Sequence, residues 1–167
     1  MVQATGRFLA SLALLAVVAG CAGLPEASGW PRVAQDDDPD LPPIARLLAP
    51  GVPAAAGYLG SFSYHEQFAD APWIGAQALD LVRLPAGRPQ VTVALPAGNS
   101  FERWNVSYAA ADDPAGSAVM PLGAGDGATI ERLAMDPPPA GEWVISVSLW
   151  FAEGAGDATY YWSVEVP

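Results

Sequence analysis

The chain has 167 residues, of which 18 are acidic and seven basic, so its net charge at pH 7 is −11. That length suits one globular domain, and the negative charge excludes nucleic acid and anionic lipid headgroups as partners, because both would be repelled. Cys21 is the single cysteine. No disulfide bond therefore forms within the chain, and we expect the fold to rest on burial of its apolar core.

The first twenty residues have the layout of a secretory signal peptide. Arg7 precedes the run Phe8–Gly20, which carries no charge and ends in small residues. This run is too short to span a bilayer as a helix. We therefore expect residues 1–20 to be removed on export.

The residues around Cys21 carry the clearest motif in the chain. The tetrapeptide Val18-Ala19-Gly20-Cys21 resembles the lipobox of bacterial lipoproteins. The resemblance implies cleavage before Cys21, a thioether-linked lipid on its sulfur and an acylated new N-terminus. The bilayer is then the first partner, and the mature chain lies on the extracytoplasmic face of the cell membrane, or on an outer membrane where the cell has one. Loss of Arg7 leaves six basic residues against 18 acidic ones, a net charge of −12.

Residues 21–55 are rich in proline and aspartate. Seven prolines lie between Pro25 and Pro53, and the run Asp36-Asp37-Asp38-Pro39-Asp40 repels itself. This composition is typical of an extended linker. We predict a tether that ends near residue 55. Its exception is Ile44–Leu48, which forms either one helical turn or a strip packed on the domain.

From residue 56 onward, apolar residues recur with the period of two that is typical of half-buried β-strands. Eight strands are predicted: Tyr58–Tyr64, Ala78–Leu84, Val91–Leu95, Arg103–Tyr108, Ala118–Leu122, Thr129–Met135, Trp143–Phe151 and Tyr160–Val166. Short strands between Gly/Pro turns, without a long helix, predict an all-β fold, an antiparallel β-sandwich of about seven or eight strands over residues 56–167. The stretch Leu133–Phe151 resembles a strand, proline-rich turn and strand of immunoglobulin-like sandwiches. That resemblance supports the fold and implies no activity.

The last two predicted strands suggest a ligand-binding platform. For both apolar stripes to share one face, an odd residue of the first strand must lie opposite an even residue of the second. Pairing Phe151 with Tyr160 places Trp150 opposite Tyr161 on the outer face. Two aromatic rings on a polar face could stack on a sugar or on a partner side chain. The alternative is a cross-strand pair that only stabilises the sheet.

Two similar glycine-rich segments suggest a calcium site. Gly123–Thr129 and Gly154–Thr159 each contain the phrase Gly-Ala-Gly-Asp and are expected to be loops before strands. The candidate ligands are Asp112, Asp113, Asp126 and Asp157, because Ca²⁺ prefers carboxylate oxygens. Glycine and aspartate are also the residues that tight turns require, so a role in turns is the alternative.

Catalytic chemistry has little support in the sequence. Lysine is absent, Cys21 is assigned to the lipid, and His65 is the only imidazole available as a base. A metalloprotease helix would need a second histidine where Ala69 stands. Hydrolysis of glycosides by two carboxylates needs no histidine and stays open.

These observations predict a non-enzymatic, membrane-anchored lipoprotein that presents a binding surface for a glycan or a protein ligand. The alternative is a structural or assembly lipoprotein of the cell envelope, which would contact another protein through its acidic tether and a sheet edge. A small extracytoplasmic hydrolase is the third hypothesis.

Overall fold

A computed structural model describes residues 38–71, 73–115 and 118–167. These residues form eleven strands and two short 3₁₀ turns, Ala76–Ala78 and Ala152–Gly154, and within these ranges there is no α-helix. The strands are β1 Arg46–Ala49, β2 Val52–Ala56, β3 Tyr58–Tyr64, β4 Gln67–Ala69, β5 Leu81–Arg83, β6 Val91–Ala94, β7 Phe101–Ala110, β8 Met120–Ile130, β9 Arg132–Met135, β10 Gly141–Phe151 and β11 Gly156–Val166.

The strands form two sheets. The smaller sheet has the order β2-β1-β6-β9, and the larger has the order β4-β3-β11-β10-β7-β8, with β5 paired to β11. Every pairing is antiparallel except that of β5 with β11. The predicted all-β antiparallel sandwich is confirmed. The strand count is higher than predicted because the short strands β1, β2 and β4 carry no clear alternation.

The core lies between the two sheets. It combines Leu47, Val91 and Val93 of the smaller sheet with Val147 and Trp162 of the larger one, all at 1 % exposure or less. The predicted apolar stripe of β10 ran from Trp143 to Phe151; Ile145, Val147, Leu149 and Phe151 are buried, and Trp143 is half-buried. Period-two alternation therefore identified the buried face of the longest strand correctly.

Two aromatic residues of β11 tie the N-terminal part of the fold to the larger sheet. The Tyr160 hydroxyl donates a hydrogen bond to the Pro43 carbonyl at 2.6 Å, and the Trp162 indole N–H donates one to the Ala55 carbonyl at 3.1 Å. Burial raises the pKa of Tyr160 far above its ordinary value, and the nearby Tyr64 adds to the effect. Tyr160 is therefore a neutral hydrogen-bond donor in the folded chain.

The sandwich begins earlier than the sequence predicted. The tether was expected to run to residue 55, but β1 and β2 are strands of the smaller sheet, and Ala45 and Leu47 are at most 1 % exposed. The prolines here do not prevent pairing, because Pro53 lies in an edge strand, where one missing N–H is tolerated. Residues 1–37, which include the predicted signal peptide, the lipidation site and the first half of the predicted tether, lie outside the described residues.

A truncation tests this boundary. A fragment of residues 42–167 should unfold cooperatively in urea, whereas a fragment of residues 56–167 should not. The shorter fragment lacks β1, which pairs with β6, and the carbonyls of Pro43 and Ala55, to which Tyr160 and Trp162 donate. Tryptophan fluorescence and far-UV circular dichroism would follow the transition. Equal urea midpoints for the two fragments would show that β1 and β2 are dispensable.

Candidate ligand-binding surface

The hairpin of β10 and β11 has a different register from the predicted one. Tyr160 lies opposite Val147 and not opposite Phe151, and Trp150 lies opposite Asp157. The prediction was wrong because it allowed a longer loop between the strands. The chain turns within a few residues, where Glu153 and Gly154 both have positive φ, at 61° and 71°. The shift along β11 is four residues, an even number, so the predicted buried faces are kept.

Tyr161 is not part of an open platform. It lies opposite Ser146, so four residues of β10 separate its row from Trp150, roughly 13 Å along the strand. Its side chain is only 4 % exposed, and the Trp73 ring packs against it with a centroid distance of 5.4 Å. Burial raises the pKa of Tyr161, partly offset by a hydrogen bond with Ser146. Tyr161 thus belongs to a small apolar cluster that covers part of the outer face.

The covering segment, residues 71 and 73–79, is held in place by hydrogen bonds. The Ser61 hydroxyl donates to the Ala71 carbonyl at 2.8 Å and accepts from the Ala71 N–H at 2.9 Å. Beyond this anchor, Leu79 and Trp73 pack on Tyr161 and Val144. Gly60 lies under the Tyr161 ring, where a Cβ would collide with it. This half of the outer face is therefore closed to a ligand.

Trp150 lies on the open half of the same face. The register of four neighbouring strands places Asp126 of β8, Arg103 of β7, Trp150 of β10 and Asp157 of β11 in one row. Residues opposite one another on such strands have Cβ atoms about 5 Å apart. The Arg103 guanidinium carbon lies over the Trp150 ring, 5.4 Å from its centroid. The row therefore alternates a carboxylate, a cation, an aromatic ring and a second carboxylate.

Arg103 contacts the Trp150 ring, and Asp126, which lies opposite it on β8, is a second partner of similar strength within its reach. A cation–π contact at an exposed site contributes about 0.5–1 kcal/mol, and an exposed ion pair with a residue such as Asp126 contributes about 0.2–1 kcal/mol. The side chain of Arg103 is exposed. The free-energy difference between its two positions is thus small, and a ligand could move it at little cost.

A shallow hollow of about 350 Å³ opens beside Trp150. Its lining consists of Arg103, Trp104, Asn105, Ala124, Gly125, Asp126 and Trp150. The next row adds hydroxyl groups, because the Ser148 and Thr159 side chains lie 2.9 Å apart and hydrogen-bond to each other. Hydrogen-bonding side chains around one aromatic ring are the usual composition of a site that orients a polar ligand.

Trp150 was predicted from the sequence, whereas Arg103, Asn105 and the hollow were not. The alternation in β7 did place Arg103, Asn105 and Ser107 on one face. Alternation within a strand does not identify the strand beside it, so it could not show that β7 and β10 are neighbours. That relation comes from the sheet order.

The four candidate calcium ligands are not brought together. Asp126 and Asp157 are separated by β7 and β10, roughly 14 Å at ordinary strand spacing, while Asp112 and Asp113 follow the far end of β7. Within the described parts of the chain, no group of three His, Cys, Asp or Glu side chains could hold a metal ion. The segment 123–129 is also not a loop, since it lies inside β8.

The glycines of that segment have a packing role. Trp104 lies across β8 so closely that a Cβ at Gly125 would be 2.7 Å from its indole nitrogen, and a Cβ at Gly123 would be 3.1 Å from its ring. A distance of 2.7 Å is shorter than Cβ atoms adopt in proteins, so Trp104 could not keep its position if residue 125 had a side chain. The glycine-rich sequence therefore serves the contact with Trp104.

Two other openings differ from the hollow in chemistry. A cleft of about 570 Å³ runs between β2 and β5, and its charged residues already have partners: Asp80 accepts from Tyr58, and Arg83 donates to Glu165. A second hollow, of about 410 Å³, is lined by Asp40, which precedes β1, and by His65, Glu66 and Gln67 where β3 turns into β4. The cleft contains two aromatic side chains, but Trp162 is 1 % exposed with its indole N–H bonded to Ala55, and the Tyr58 hydroxyl donates to Asp80.

Comparisons with known proteins give no family. No family model matches the chain, and no curated protein matches it. Among solved structures it is similar to the catalytic domain of an LPMO from Listeria monocytogenes, with 14 % identity and a TM-score of 0.41, over 53 % of this chain and 60 % of that one. The match thus spans less than two thirds of that domain, and at this TM-score neither a shared fold nor a shared function follows.

No helix in the described ranges is long and apolar enough to cross a membrane.

Two substitutions separate the buried aromatic residue, Tyr161, from the half-buried one, Trp150. Tyr161→Ala should lower the free energy of unfolding by about 3 kcal/mol, because it empties a packed position under Trp73. Trp150→Ala should cost about 1 kcal/mol or less, since its ring is only half-buried and its cation–π contact is weak. Urea denaturation measures both. Equal losses would contradict the assignment of Tyr161 to the packing and of Trp150 to the open surface.

Proposed function

We propose that this chain is a non-enzymatic, membrane-anchored extracytoplasmic lipoprotein whose β-sandwich binds a glycan on the outer face of its larger sheet. The single observation that carries the binding role is Trp150, a half-buried indole beside a hollow lined by charged and amide side chains. Indoles stack on other ring faces through an apolar surface, and the surrounding polar groups orient the ligand. Tyr161, the second half of the predicted platform, is not included.

A sugar fits this surface better than an apolar ligand does. The outer face around Trp150 presents amide and hydroxyl groups from Asn105, Ser148 and Thr159, and the sheet below them is continuous across β8, β7, β10 and β11. Such groups match the hydroxyl groups of a saccharide, which both donate and accept hydrogen bonds. An apolar ligand would leave several of them without water or a partner, which costs free energy.

The membrane anchor rests on the sequence. The lipobox-like residues Val18–Cys21 follow the apolar run, and acyl chains on Cys21 would hold a protein whose net charge of −12 is repelled by anionic headgroups. Two or three acyl chains give stable attachment, at about 0.8 kcal/mol per buried CH₂ group. The domain would then present its outer face outside the cytoplasm.

A binding screen tests the site. The mature chain without lipid, residues 22–167, should bind at least one of cellohexaose, xylohexaose, chitohexaose and hexagalacturonate in isothermal titration calorimetry. Trp150→Ala should weaken that binding about tenfold or more, because stacking on the indole is lost. Phe68→Ala is the matched control, since Phe68 is an aromatic residue at 84 % exposure on the far strand of the same sheet. Unchanged affinity in Trp150→Ala, or an equal loss in Phe68→Ala, would refute this site.

The anchor has a separate test. Cys21→Ser should abolish metabolic labelling with a fatty-acid analogue and move the protein from the membrane fraction to the soluble extracytoplasmic fraction, because the thioether has no sulfur on which to form. Immunoblotting of the fractions measures the outcome. A mutant that is still labelled and still sediments with membranes would show that the lipobox interpretation is wrong.

A further inference from the structure

Arg103 covers the face of the Trp150 ring on which a sugar would stack. Its guanidinium carbon lies 5.4 Å from the centroid of the Trp150 ring and over its face. A cation and a saccharide cannot both contact that part of the ring. A ligand that stacks there must therefore move Arg103 aside.

The structure supplies a second position for Arg103. Asp126 lies directly opposite it on β8, on the side away from Trp150. Opposite residues are close enough for an arginine to reach the carboxylate. The side chain can thus exchange an aromatic partner for an acidic one without any change in the backbone.

The charges around the ring favour one class of ligand. Once Arg103 pairs with Asp126, the other side chain beside Trp150 in the same row is Asp157. An acidic saccharide would meet that carboxylate without a free cation, on a protein with a net charge of −12 after processing. A neutral saccharide meets no such repulsion.

We infer that Arg103 is a specificity-determining residue that moves from the Trp150 ring to Asp126 when ligand binds, and that the ligand is a neutral glycan. This inference rests on the proposed binding function and adds the ligand class and the displaced residue to it. Arg103 then competes with the ligand in its first position, and its pairing with Asp126 in the second offsets part of the free energy that it loses on leaving the ring.

Calorimetry on the chain of residues 22–167 tests the inference with cellohexaose, xylohexaose and chitohexaose as neutral probes and hexagalacturonate as the acidic one. Arg103→Ala should bind the neutral probe that wild type binds about two- to fivefold more tightly, because the competing cation–π contact is gone. Arg132→Ala is the control, since it removes one exposed arginine from the other sheet and changes the net charge equally.

Asp126→Asn separates a positional role from a structural one. In the wild-type background it should weaken binding of the neutral probe about twofold, because the displaced Arg103 loses its acceptor. In the Arg103→Ala background the same substitution should have no effect. Such a coupling between neighbours is what a double-mutant cycle measures, and a purely structural effect of Asp126 would be the same in both backgrounds.

The outcomes distinguish this inference from the proposed function. Weaker binding of the neutral probe by Arg103→Ala, tighter binding of hexagalacturonate than of the neutral probes by wild type, or an equal effect of Asp126→Asn in both backgrounds would overturn the inference while the Trp150 site stands. Absence of binding by every probe, or wild-type affinity in Trp150→Ala, would overturn both.

Discussion

The pairing of Val147 with Tyr160 in the β10–β11 hairpin determines most of what surrounds it. On the inner face it brings the Tyr160 hydroxyl to the Pro43 carbonyl, which holds the start of the fold against the core. On the outer face it places Tyr161 beside Ser146 under the covering segment. It also leaves Trp150 at the open end of the sheet. One register thus decides which aromatic residue is structural and which is accessible.

The fold class was predictable because the signal for it is local. Alternation in β10 and β11 follows from burial of one face, and the structure confirms that face in both strands. The start of the domain was not predictable in the same way. Strand β2, with the sequence Val-Pro-Ala-Ala-Ala, has neither alternation nor β-branched residues beyond Val52. Its place in the sheet depends on β1, whose Leu47 is buried, and on the bond from Trp162 to Ala55.

The candidate site was only partly predictable. Trp150 was identified from its position on a polar face, and that position is correct. Its predicted neighbour Tyr161 was wrong because the hairpin turns through two consecutive residues of positive φ, and Glu153 is not a residue that signals such a turn. Arg103 and Asp126 became its neighbours through strand order, which depends on contacts between residues far apart in the chain. The register also explains why Asp126 and Asp157 lie in one row without forming a metal site.

The most direct test of binding at Trp150 is an NMR titration of ¹⁵N-labelled chain, residues 22–167, with each of the neutral probes cellohexaose, xylohexaose and chitohexaose in turn. The account predicts that the Trp150 indole N–H and the Asn105 side-chain amide shift most, while the indole signals of Trp73 and Trp162 stay unchanged. Shifts confined to the cleft between β2 and β5, or to Trp73, would contradict it. So would a spectrum that changes with none of the three probes.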